Sequence, residues 1–108
     1  MPKIARINDL GHGECKAGHP DVPVNVPKEF TTTFLTGANS VFLNGKNMAI
    51  VGSIGETDCG HTTTAISGSN TVFAENVPVH RLNDVGVINE GEGEYHVLST
   101  ADNEYAGG

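Results

Sequence analysis

Apolar and β-branched residues come in short runs of about four in this chain, and Gly, Pro or Asn closes most of them. Ser40–Leu43 and Met48–Val51 are two such runs on either side of Asn44-Gly45, a strong hairpin-turn dipeptide. Thr71–Ala74 and Val79–Leu82 flank a second turn at Glu75–Pro78. Two β-hairpins are therefore predicted. Gly37 and Gly68 stand before their first strands, where a bend needs the residue that tolerates positive φ. Lys28–Phe34 reads as a strand or one turn of helix.

The hairpins are copies of one unit. TGANSVFLNGKNMAIVGS (36–53) aligns without a gap on SGSNTVFAENVPVHRLND (67–84) at an offset of 31. Gly37/Gly68, Asn39/Asn70, Val41/Val72 and Phe42/Phe73 are identical. Fragments of the unit recur at both ends: Ala5-Arg6-Ile7-Asn8-Asp9 matches His80-Arg81-Leu82-Asn83-Asp84, and 99–106 resembles Ser67–Ala74. Two full copies and two complementary halves make three quasi-equivalent units, a pattern that closes into a three-fold pseudosymmetric object. The connectors differ: 10–35 is long and carries Pro20, Pro23 and Pro27, 54–66 is short, and 85–98 is acidic. The part of the first connector at about 14–34 reads as an insertion.

Composition narrows the fold. The 108 residues suit one domain, and 14 Gly, 5 Pro, no Trp and 37% hydrophobic residues suit an all-β, turn-rich one. So thin a core commonly needs a further tie such as a metal, a disulfide or a partner. A net charge of −7 with six Lys and Arg disfavours nucleic acid and anionic membrane surfaces as charge partners. No apolar run approaches a bilayer span of about 20 residues. The start, MPKIARINDLG, lacks a signal peptide's apolar core, so synthesis in a cytoplasm without Sec export is expected.

The soft ligands lie in the connectors: His12, Cys15 and His19 in the first, Cys59 and His61 in the second, His96 in the third. If the units surround one axis, the connectors meet there and one ion can tie all three. Cys59 and His61, separated by Gly60, can both face one ion. His12 lies between two glycines, and His19, followed by Pro20, is its rival; His80 reads as a strand-face residue. Catalysis is not expected. Cys59 and His61 lack an orienting third group as a nucleophile–base pair, and Glu90, Glu92 and Glu94 read as a solvated acidic face.

The unit resembles the PAAR-repeat family, whose units run Gly-Ser-x-x-Val-x-x-Asn-Gly-x-Pro-Ala-Ala-Arg-x-Gly-Asp. Gly37–Gly45 fits the first half, and Gly68–Phe73 with Pro78-Val79-His80-Arg81-Leu82-Asn83-Asp84 fits both. Asn8 and Asn83 stand where Gly precedes Asp, Gly52-Ser53 replaces Gly-Asp, and Asn47–Ile50 replaces Pro-Ala-Ala-Arg. The resemblance implies a cone-shaped β domain whose base caps a trimeric β-helical spike, with zinc (or iron) near the vertex held by three His and one Cys. Carried onto this chain, that ligand set is His12, Cys59, His61 and His96. It further implies a membrane-piercing tip, without enzymatic activity, on the spike of a contractile phage tail or a type VI secretion machine. Its site of action would be the virion tip, or the outside of a cell reached through the injection machine. A free-standing metal- or ligand-binding module is the alternative, with a small zinc hydrolase behind it.

Overall fold

The computed structural model describes residues 3–43 and 45–98; the C-terminal half-unit at 99–106 lies outside the described residues, as does Asn44. Among the described residues ten strands form, in the order β1 (Leu10–Cys15), β2 (Lys28–Phe34), β3 (Phe42–Leu43), β4 (Lys46–Asn47), β5 (Ile54–Thr57), β6 (Thr62–Ala65), β7 (Phe73–Ala74), β8 (Val77–Pro78), β9 (Val85–Ile88) and β10 (Gly93–Val97). The all-β expectation holds, with no helix among the described residues. Six strands close an antiparallel barrel in the order β1-β10-β9-β6-β5-β2, while β3-β4 and β7-β8 are separate two-stranded hairpins. Closure removes the free strand edges that an open sheet of this size would expose.

Both expected hairpins form, but their return strands come earlier than Met48–Val51 and Val79–Leu82: Phe42–Leu43 pairs with Lys46–Asn47, and Phe73–Ala74 with Val77–Pro78, which leaves Glu75-Asn76 as the second turn and Met48, Ile50 and Val79 to isolated bridges. Glu75 and Asn76 both take positive φ (55° and 67°), the geometry of a two-residue turn matched to strand twist. Lys28–Phe34 is not part of an insertion. As β2 it pairs with both β1 and β5, and the excess of the first connector shrinks to the loop 16–27.

Below the barrel the three units meet in a ring. The Ala5 amide donates to the His80 carbonyl (2.9 Å), His80 to Ala49 (2.9 Å), and Ala49 to Ala5 (3.0 Å). The bridges Arg6–Met48, Ile50–Val79 and Arg81–Ile4 run around the same circle. Ala5, Ala49 and His80 are completely buried, so each bond of the ring is shielded from water.

Each unit leaves the ring through the same turn. The backbone amides of Arg6, Ile50 and Arg81 donate to the side chains of Asp9, Ser53 and Asp84 at 2.8, 2.9 and 2.8 Å. Asn8, Gly52 and Asn83 occupy the intervening position at φ 69°, 97° and 68°. Asn tolerates this left-handed region better than other side chains, which explains how it replaces Gly there. Arg6 and Arg81 also pair with Asp9 and Asp84 through their guanidinium groups (3.1 and 2.9 Å).

Within the barrel the symmetry is kept by backbone and broken by side chains. The Thr32 and Thr63 hydroxyls bond to each other at 2.9 Å, and at the third equivalent position stands Tyr95. Its ring fits because Gly11 and Gly86 face it; a Cβ at either would overlap the ring. Tyr95 reaches the axis and bonds His80 Nε2 through its hydroxyl (3.0 Å), while His80 Nδ1 lies 2.7 Å from the Ser67 carbonyl. That carbonyl can only accept, so Nδ1 carries the proton and Nε2 accepts from Tyr95. Phe34 packs on both rings at centroid distances of 5.5 and 5.6 Å.

Burial holds the His80 imidazole neutral, with its pKa below the ordinary value of 6.5. Stability from this group is complete above 6.5. It declines as pH falls below that value, because the unfolded chain then takes up a proton that the folded one refuses. Thermal melts from pH 7.5 to 5 should therefore fall more steeply for the wild type than for His80→Gln, and equal slopes would remove His80 as the cause.

Candidate metal centre

At the barrel end opposite the ring, the first two connectors bring four soft ligands together. Cys15 is the last residue of β1, Cys59 and His61 lie in the β5–β6 turn, and His19 comes from the loop 16–27. One ligand atom from each of Cys15, His19, Cys59 and His61 lies within 4.8 Å of every other. His61 Nδ1 is 3.7 Å from Cys15 Sγ and 3.6 Å from Cys59 Sγ, and the His19 and His61 rings meet edge to face at 5.0 Å. A tetrahedral ion with bonds of about 2.0–2.3 Å spaces its ligands roughly 3.3–3.8 Å apart, which the two S–N separations match.

The local backbone builds this arrangement. Thr57 folds the β5–β6 turn around its own side chain: its hydroxyl accepts from the His61 amide (2.8 Å) and donates to the His61 carbonyl (3.0 Å). Gly60, at φ 90°, supplies the reversal that aims Cys59 and His61 at one point. Asp58 fastens the turn to β2, accepting from the Thr31 amide through its carboxylate and donating its own amide to the Thr31 carbonyl (both 3.1 Å). The loop carrying His19 is tied by reciprocal backbone bonds with Val22 and by the Asp21–Lys28 ion pair at its mouth.

The chemistry of the set fits a cation. Both ring nitrogens of His19 are buried without a hydrogen-bond partner, an arrangement costing about 1–3 kcal/mol per unsatisfied group that coordination would relieve at one nitrogen. Cys15 is fully buried, and burial raises its thiol pKa, so the uncharged thiol is favoured unless a cation sits beside the sulfur. A metal ion is the group that these donors suit.

Of the four ligands carried over from the resemblance, Cys59 and His61 stand in the cluster, and His12 and His96 do not. His12 and His96 are cross-strand partners on β1 and β10, both exposed on the outer face of the barrel. Strand alternation decides this, because Gly11 and Cys15 on β1, and Tyr95 and Val97 on β10, take the inner face. Where at least one ligand is expected from every connector, the cluster draws two residues from each of the first two. The third connector contributes Glu90, whose carboxylate accepts from the Thr62 amide (2.8 Å) and hydroxyl (2.6 Å). Those bonds hold its pKa below the usual carboxylate value and secure that connector without a ligand. The signal in the sequence was the pairing of each Cys with a His close behind it, Cys15 with His19 and Cys59 with His61.

No protein-family model matches this chain, and no curated protein matches its sequence.

Cobalt(II) titration separates the two ligand sets. His12→Ala and His96→Ala should leave the tetrahedral thiolate bands and the affinity unchanged. Cys15→Ser or His19→Ala should weaken binding by more than about 100-fold, beyond what loss of an outer-shell partner costs. The opposite pattern would restore the outer histidines as ligands.

Proposed function

We propose that this protein is a non-enzymatic, metal-stapled tip that caps a trimeric β-helical spike in a contractile injection machine. The observation that carries the proposal is the ring of Ala5, Ala49 and His80, which gives a single chain a three-fold end. Such an end can offer each subunit of a true trimer a similar surface. Around it stand Leu35, Ile66 and Leu98, placed by equivalent bonds from their amides to the carbonyls of Ile54, Val85 and Leu10. They are 49%, 52% and 59% exposed, and Phe42 and Phe73 on the hairpins are 57% and 54% exposed. Large apolar side chains left in water at symmetric positions favour coverage by a partner. The PAAR-like repeat supplies the identity of that partner, and the opposite, stapled end would then meet the target membrane when the machine contracts.

Zinc is the proposed ion. Two thiolates and two imidazoles are a structural zinc set, and four protein donors fill its tetrahedron without an open position for substrate. Elemental analysis of natively purified protein should find one zinc per chain, and iron in its place would overturn the assignment of the metal.

Mixing the protein with a trimeric β-helix spike fragment should give one tip per trimer by native mass spectrometry. Phe73→Asp with Ile66→Asp should weaken that complex at least about tenfold, the equivalent of 1.4 kcal/mol, with little change in melting temperature. Absence of any complex with the spike would sink the proposal.

A further inference from the structure

The cluster contains two thiols, and their placement has a chemistry that neither imidazole shares. Cys15 Sγ and Cys59 Sγ both lie beside His61 Nδ1, at 3.7 and 3.6 Å, and within 4.8 Å of each other. They come from separate connectors, one at the end of β1 and one on the turn that reverses at Gly60. Both are free thiols. Access differs between them: Cys15 is fully buried, whereas Cys59 is partly open to solvent.

We propose that Cys15 and Cys59 form a redox-convertible pair, joined through a metal ion under reducing conditions and by a disulfide once an oxidant has displaced that ion. The inference rests on the metal reading of the site. Low-molecular-weight disulfides, the class to which oxidised glutathione belongs, are the oxidant. The partly open Cys59 thiolate attacks one sulfur of the oxidant, forming a mixed disulfide and releasing one thiol. Cys15 thiolate then attacks the Cys59 sulfur of the mixed disulfide, forming the intramolecular bond and releasing the second thiol. The two protein sulfurs lose two electrons, the oxidant's disulfide gains them, and the metal leaves as the free cation because neither sulfur remains a thiolate. Closing the gap from within 4.8 Å to the bond length of about 2.05 Å requires movement of the Cys59 turn, where Gly60 permits it. The tie between the first and second connectors then survives transfer from a reducing cytoplasm to an oxidising exterior, where a thiolate-held metal is exposed to loss.

The test uses the full chain with oxidised glutathione, intact mass and alkylation of residual thiols. Metal-free protein should lose both free thiols within one monomer. Cys15→Ser should stop at a glutathione adduct on Cys59, and Cys59→Ser should remain largely unmodified. Zinc-loaded protein should release its ion, read by a chromogenic chelator, in step with disulfide formation. A persistent glutathione adduct on the wild type, a disulfide-linked dimer, or a disulfide formed with zinc retained would each overturn the inference. The metal reading fails separately: a disulfide that forms in a chain unable to bind zinc or cobalt in its reduced state leaves the thiol pair standing and removes the staple.

Discussion

Three backbone hydrogen bonds among Ala5, Ala49 and His80 organise everything above them. Because each residue both donates to and accepts from its neighbours in the circle, no unit can shift without breaking two bonds in a buried environment. The turns at Asn8, Gly52 and Asn83, all at positive φ, then lead each unit away from the ring. Six short strands, none longer than seven residues, become a barrel because their starting points are already fixed. The small residues at Ala5 and Ala49 let the backbones approach, and His80 departs from them only because Tyr95, Phe34 and the Ser67 carbonyl surround its ring.

Among the described residues, the opposite end has no comparable backbone ring. Its connectors differ in length and sequence, so the symmetry that organises the base fades toward the cluster of Cys15, His19, Cys59 and His61. The Glu90 carboxylate ties the second connector to the third, and between the first and second stand four soft ligands that could hold an ion. Phe30 and Ile88 are buried near Cys15, with Ala17 and Cys59 packed against the same core, so an ion held by the four donors would add to an apolar core already present at that end.

Much of the architecture could be read from local pattern. Turn dipeptides and the offset of 31 located both hairpins, and the match of Ala5–Asp9 to His80–Asp84 anticipated a ring that joins residues 75 positions apart. The barrel was less legible, because Lys28–Phe34 is too short and too rich in Thr to declare its partners. Cys59 and His61 were found through their spacing. Cys15 and His19 offer a similar pair, but the symmetry of the repeat favours a set with at least one ligand from every connector. Strand phase is what symmetry could not supply: a shift of one residue along β1 or β10 exchanges the inner and outer faces, and it puts His12 and His96 outside.

The ring also sets an order on assembly. Ala5 emerges early in synthesis, yet both of its partners in the circle lie far along the chain, and His80 follows it by 75 positions. The barrel has the same character, since β1 must wait for β10 to complete its second edge. A chain dominated by such distant pairings folds slowly for its length, because loop closure is paid for before most contacts form. The circle of three bonds therefore closes only when residues as far apart as Ala5 and His80 have met, although β1 finds its partner β2 close by in the chain.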